Sequence, residues 1–494
     1  MTGLRRFPDL YEINACLFLR RMRRKYDQQL TLATIPEAEW QAIAGQGFDI
    51  IWLMGVWERS PKSRQEALAH PELRNEYDRA LPDWTDDDIS GSPYAVHAYE
   101  LYPFLGRPGD LALLKTKLNK IGLRLVLDFV ANHLATDHSW VETHPQRFVQ
   151  ADSAGQKEHP DWFFSPGGGR YFAHGRDPNF PPWTDTVQVN FYSPDLREAL
   201  IGELKRIASV SDGVRCDMAM LALNEVFGRV WGGYAGYPEP KTEFWTEALG
   251  QVKQSRPDFL FMAEVYWDME RQIQRLGFDF TYDKGLYDRL RYSGSSEIRD
   301  RLKDEPYQEH SVHFIENHDE ERATAAFGSE RSMAAAAVIS TIPGLRFFQD
   351  GQFEGYRTRL PIQLIRQPAE TPDNEIQYFY GRLLAACNSP VFHDGLWQVL
   401  DVGQVGEEAT AHPDILAWLW RFDKQMKIVV INYTSGHSYG WLKLPLPAGA
   451  RGITVEEELP DRLLPRSTNP VEGRGVYLEL KPWQAQILSV SEIQ

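Results

Sequence analysis

Gly213-Val-Arg215-Cys-Asp217 ends a run of mostly small and apolar residues that starts near Ile207 and is broken mainly by Asp212. Read as a strand, it points residues two apart to the same face. Arg215 and Asp217 then sit side by side, with the guanidinium holding the carboxylate ionised. A carboxylate kept charged by a fixed cation is a good nucleophile at neutral pH. The same pair also suits a structural ion bridge in a core, and this stretch alone leaves both readings open.

Outward from it, apolar runs alternate with amphipathic ones. Residues 11–19, 48–57 and 123–130 read as strands before it, and 259–267, 278–282, 311–315 and 345–348 as strands after it. Helical periodicity marks 36–45, 106–121, 194–209, 245–255 and the alanine-rich 330–339. Such alternation implies parallel pairing. Eight β/α units predict an α/β fold, a (β/α)8 TIM barrel, whose usual core is about 250 residues. The rhythm breaks from 134 to 190, a stretch rich in Pro, Gly, Asp, His and aromatics. So long an irregular segment is expected to be an inserted subdomain after the third strand. Past residue 391 short alternating strands at 415–422, 427–433, 476–480 and 486–490 predict a C-terminal antiparallel, sandwich-like β domain. The expected organisation is a catalytic barrel over 1–133 and 191–390, an insertion over 134–190 and the β domain over 391–494.

Composition narrows the function classes. At 494 residues, 43% of them hydrophobic and 25% charged, the chain can bury a large core. Its 53 basic and 69 acidic residues give a net charge of −16, which disfavours nucleic acid or an anionic membrane as partner. Cys16, Cys216 and Cys387 lie far apart without metal-ligand spacing and read as buried free thiols of a reducing compartment. No apolar segment follows the basic start, and no stretch approaches a membrane span, so a cytoplasmic location is expected. Aromatic residues are abundant. Trp162, Phe163, Phe164, Tyr171 and Trp183 of the insertion suit either a sugar-binding cleft or the insertion's own core, the second being favoured.

Asp128, Asp217, Glu264 and Asp319 each fall at or just beyond the end of an apolar strand. In a barrel those ends share one face, which carries the active site. One such acid is as readily a helix cap, but four from different strands converge on one mouth. Carboxylates without a cysteine or histidine triplet favour acid/base and nucleophilic chemistry over zinc. Glycoside hydrolysis needs one carboxyl ionised and one protonated. Arg215 serves the first condition at Asp217, and the apolar neighbours of Glu264 serve the second.

Four segments carry a resemblance: Asp128-Phe-Val-Ala-Asn132-His133, Gly213-Val-Arg215-Cys-Asp217, Ala263-Glu264-Val-Tyr-Trp267 and Phe314-Ile-Glu-Asn317-His318-Asp319. In order and spacing the chain resembles the α-amylase family, glycoside hydrolase family 13. The resemblance implies a retaining hydrolase of α-linked glucosides, with Asp217 as nucleophile, Glu264 as acid/base and Asp319 as the third carboxylate gripping substrate hydroxyls. It implies that Arg215 orients Asp217, that His133 and His318 bind hydroxyls of the sugar being cleaved, that Tyr94 stacks on that sugar and that Asp128 supports the site. The same core also fits a transglycosylase, and a non-catalytic carbohydrate-binding relative is the reading from another class.

Several positions depart from the family's pattern. Met218-Ala-Met-Leu221 stands where many glucan-binding members carry a lysine and histidine. Gly91 stands where exo-acting α-glucosidases have an aspartate, and the segments Asp185-Thr-Val-Gln-Val-Asn190 and Phe347-Phe-Gln-Asp-Gly-Gln352 are altered. These departures point to a short or unusual glucoside. No cofactor is expected; calcium at Asn132 or the acidic cluster 83–88 is not favoured over a solvated loop.

Overall fold

The computed structural model describes residues 3–167, 169–403, 414–442, 452–459 and 476–493. Eight parallel strands close into a barrel: β1 (Asp9–Asn14), β2 (Ile50–Met54), β3 (Arg124–Val130), β4 (Gly213–Asp217), β5 (Leu260–Ala263), β6 (Phe280–Tyr282), β7 (Ser311–His313) and β8 (Leu345–Gln349). Each pairs with its chain neighbours, and β1 pairs with both β2 and β8 to close the ring. They are the eight runs expected from the sequence, with several boundaries shifted.

The run 11–19 is not one strand. Strand β1 stops at Asn14, whose side chain accepts from the backbone N–H groups of Cys16 (3.1 Å) and Leu17 (3.2 Å) and so caps helix α1 (Ala15–Tyr26). Ala15, Phe18, Leu19 and Met22 then form one buried helical stripe. An apolar run shared by a strand and a helix has no internal punctuation except the asparagine. The run 48–57 is likewise cut at Gly55, whose φ of +78° turns the chain and whose Cβ, if present, would meet Pro93 at 3.0 Å. The run 259–267 is a strand only to Ala263. Beyond it Trp267 and Asp268 adopt left-handed backbone (φ 65° and 58°) and bend the chain across the barrel mouth.

Between β3 and β4 lies an inserted lobe. A strand pair, His133–Ala135 with Thr186–Gln188, leads into and out of it, and a three-stranded sheet of Gln150–Ala151, Arg170–Ala173 and Phe163–Gly167 forms its body. Phe163 and Phe172 are buried there, while Trp162, Phe164 and Tyr171 pack half-buried against them. These four aromatics that the sequence singled out, with Phe172, therefore build the lobe. Trp183 instead faces the cleft.

The C-terminal region forms a five-stranded antiparallel sheet in the order Leu396–Val399, Ile415–Phe422, Gln425–Asn432, Ala485–Ile493, Gly452–Glu457. Period-two alternation gives it two faces. Trp418, Trp420, Val429 and Ile431 join the barrel's core, and the Trp420 indole donates to the Thr341 carbonyl at 2.7 Å. Ala417, Leu419, Ile428 and Val430 face away, into a second core closed by the three-stranded sheet that includes Ser438–Leu442 and Val476–Leu480. Among the described residues, no helix is long and apolar enough to cross a membrane. The three cysteines are buried and unpaired.

Candidate active site

The C-terminal ends of the barrel strands and the inserted lobe enclose a cleft of about 760 Å3. Asp217, the last residue of β4, Glu264, the first beyond β5, and Asp319, in the turn after β7, all line it, together with Tyr94 and His133. Asp128, Arg215 and His318 do not reach its surface. They form a buried layer directly beneath, at 2%, 1% and 5% exposure. The expectation of four acids at the mouth is corrected at Asp128. Strand β3 runs on to Val130, and the Asp128 side chain turns into the barrel, where the Trp52 indole (3.1 Å) and the Gly55 amide (2.7 Å) bond its two oxygens. Burial raises its carboxyl to about 6 against the pull of Arg215.

Arg215 organises the floor. One terminal nitrogen lies 2.7 Å from Asp217 Oδ1 and the other 2.9 Å from Glu264 Oε2. The guanidinium is itself cushioned by the rings of Trp52, Tyr94 and Tyr282, at 5.3–5.7 Å. From the sequence, Arg215 was paired with Asp217 alone; its second partner comes from the next strand, where Arg215 registers with Met262 and so stands two residues short of Glu264. Glu264 also accepts from the Met218 amide and the Tyr266 hydroxyl, both at 2.8 Å. Burial raises Glu264 to about 7: Arg215 opposes the rise, and the charges of Asp217 and Asp319 add to it. Burial raises Asp217 as well, with the bond to Arg215 working against it.

Asp319 is arranged differently. Its side chain is 45% exposed to the cleft, and Asn317 Oδ1 accepts from its amide at 2.9 Å to fix the turn. Desolvation by its surroundings works upward, but His318, whose Nε2 lies 3.1 Å from Asp319 Oδ2, brings the carboxyl down to about 2. His318 is clamped between two acids, since its Nδ1 lies 2.6 Å from Glu12 Oε1. Burial works against its charge, but Asp319 and Glu12 outweigh that and hold the imidazole well above its ordinary value. The Tyr94 hydroxyl also meets His318 Nε2, at 2.8 Å, and the two rings stack 5.5 Å apart. His133 contrasts with His318. Burial lowers it to about 4, so it is neutral at pH 7, and its ring lies 4.9 Å from that of Trp183.

Sequence reasoning missed Glu12, Trp52, Tyr266 and Trp267. Glu12 carried a signal, an acid inside the apolar strand Asp9–Asn14, buried to 1%. Replacing it by glutamine is expected to leave His318 with one carboxylate partner and to let it lose its proton nearer neutrality. The positive charge that holds Asp319 down would then be present at low pH and lost as pH rises. A fall in kcat/KM of about tenfold at pH 8, shrinking toward pH 5, is the expected result in pH–rate profiles.

The metal expectation meets different local facts. Asn132 Oδ1 accepts from Gln188 at 3.0 Å, while Asp83 and Asp88 are both held by Arg366. Among the described residues no cluster of three or more metal-ligating side chains occurs.

Residues 41–195 match the family model for the α-amylase catalytic domain, and three of the four segments quoted from the sequence bring an acid, Asp217, Glu264 and Asp319, into one cleft. Over residues 41–195 the chain is similar to the α-amylase catalytic domain. It is 24% identical to Alpha-amylase 3 of Dictyoglomus thermophilum over 56% of each chain. It is 27% identical to the Alpha-1,4-glucan:maltose-1-phosphate maltosyltransferase of Rhodospirillum rubrum, over 56% of this chain and 35% of that one. The matches span about half the length of the first curated relatives, 56% and 51%. In fold, it superposes on the maltogenic α-amylase AmyB of Thermotoga neapolitana with a TM-score of 0.67 at 20% identity, over 99% of both chains. A trehalulose synthase superposes at 0.68 and 16% identity, over 99% of this chain and all of that one.

Proposed function

We propose that this chain is a retaining enzyme of α-linked glucosides in the α-amylase family. The observation that carries the reading is the Arg215 fork: one buried guanidinium grips both Asp217 and Glu264 at the floor of an open cleft. Two carboxyls on one fork favour the short separation of retaining enzymes, about 5 Å, over the ~6.5–9.5 Å that leaves room for an inverting water. Asp217, ion-paired, attacks the anomeric carbon, and the bond from that carbon to the leaving oxygen breaks. Glu264, raised to about 7, gives that oxygen its proton. In the second step Glu264 takes a proton from the incoming hydroxyl, which displaces Asp217. Asp319, charged throughout, accepts bonds from sugar hydroxyls and stabilises positive charge developing on the ring. Tyr94 offers an aromatic face and His133 a neutral ring for the same sugar.

Water or a sugar hydroxyl fits the second step equally, and relatives of both kinds, amylases and maltosyltransferases, occur among the matches. A purely carbohydrate-binding role would not require two acids on one guanidinium. No step here calls on a cofactor. The net charge of −16 agrees with a neutral substrate rather than nucleic acid. The buried free thiols agree with a cytoplasmic setting. Following the product anomer by NMR during cleavage of an α-glucoside is the deciding measurement. Initial formation of the α-anomer is expected, and initial β-anomer would exclude the double displacement.

A further inference from the structure

Glu264, Tyr266, Trp267 and Lys284 line the cleft, and the leaving group must meet Glu264, the proton donor, which accepts from the Tyr266 hydroxyl at 2.8 Å. Ser63, Glu66, Trp183 and Asp185 line the cleft as well, with the Trp183 ring 4.9 Å from that of His133, which the sugar being cleaved is expected to meet. Neither Glu66 nor Asp185 is used by the chemistry above. Asp185 Oδ2 accepts from the Ser63 hydroxyl at 2.6 Å, and Glu66 Oε2 accepts from the Thr184 hydroxyl at 2.8 Å. Helix Pro61–Ala69 supplies one acid and the exit of the inserted lobe the other, each oriented by a hydroxyl of the opposite element. A carboxylate has about four acceptor sites, so each keeps capacity for a ligand.

Acidic side chains dominate the charge around them. Glu66, Asp177, Asp185, Asp217, Glu264, Asp319 and Glu320 line the cleft. Among the described lysines and arginines only Lys284 lines it, and its Nζ is already bonded to Asp288 (2.6 Å) and lies 3.2 Å from Glu320. Arg215 below spends both terminal nitrogens on Asp217 and Glu264. Arg359, beside Asp319, donates to the Asp319 carbonyl and to Glu76. A wall of oriented acceptors with an indole face beside it suits hydroxyl groups, which donate, and an apolar sugar face. A phosphate brought there meets like charge without a free cation.

Resting on the glycosidase reading, we propose that Asp185 and Glu66 form a hydroxyl-reading wall on the glycone side, selecting an uncharged, unphosphorylated glucosyl donor. The primary hydroxyl reaches farthest from a hexose ring, so its phosphorylation is the change expected to bring negative charge toward these acids.

The test measures kcat/KM for 4-nitrophenyl α-glucoside, 4-nitrophenyl α-maltoside and 4-nitrophenyl α-glucoside 6-phosphate, on the full chain and on Glu66→Gln and Asp185→Asn. The wild type is expected to favour the neutral glucosides by about a hundredfold or more, as like-charge juxtaposition dictates. Each variant is expected to raise KM for them by about tenfold, more than it lowers kcat, and to narrow the discrimination against the 6-phosphate. Melting temperatures near that of the wild type identify variants that fold. Equal or better turnover of the 6-phosphate overturns the proposal, as do folded variants with wild-type KM and discrimination. Turnover of none of the three brings down the glycosidase reading and the wall with it, whereas turnover without discrimination brings down the wall alone.

Discussion

Asp217→Asn is expected to lower kcat on an activated α-glucoside by about ten-thousand-fold, because it removes the atom that forms the covalent bond. Asparagine keeps the shape and an oxygen for Arg215, and the guanidinium keeps its contact with Glu264, so folding is expected to survive. A melting curve close to that of the wild type, alongside the lost turnover, separates chemistry from stability. The variant has a second consequence. The Asp217 charge is one of those that hold Glu264 up at about 7. Without it the acid form of Glu264 persists only to lower pH, so the alkaline limb of any residual activity should move toward acid. Turnover within a few-fold of wild type would remove Asp217 from the role of nucleophile.

Glu264→Gln is the second large effect. With a poor leaving group the loss should be about a hundredfold to ten-thousandfold, the usual range for a missing general acid. With fluoride or a nitrophenol as leaving group, the first step needs little protonation, and the loss there should be much smaller. The second step still lacks a base. Added azide, which attacks without one, should restore turnover and yield an α-glycosyl azide. The pH profile gives an independent check. In the wild type Glu264 carries its proton below about pH 7 and loses it above, so kcat/KM should fall on that alkaline side. The limb should vanish in the glutamine variant. A limb that persists there would assign it to a different group.

The two variants probe opposite ends of one device. Arg215, 1% exposed, touches both acids, so a change at either carboxyl alters the charge felt by the other. Single effects at Asp217 and Glu264 are therefore expected to be far from additive in the double variant.

Much of this was legible along the chain. All eight barrel strands, the break after the third and the change to short alternating strands past 391 were readable, because apolar periodicity is a local property. The position of an acid next to the end of such a run is local too, which is why Asp217, Glu264 and Asp319 could be named. Asp128 does not reach the mouth although its strand ends at 130 as read, because its side chain turns inward to Trp52 and Gly55, a contact the apolar pattern does not mark. The run 11–19 fell the same way: only the side-chain bonds of Asn14 separate strand from helix there.

By itself, then, the sequence determined the barrel, its order of strands and which acids stand at their ends, since each depends on residues within a few positions of one another. Tertiary structure alone decided that Arg215 serves two acids, that Glu12 holds His318 across 306 residues, and that Glu66 and Asp185 face one cleft. Those contacts arise when the ring closes and the inserted lobe settles over it. Their distances are fixed by strand register and helix placement, which no local pattern in the chain records.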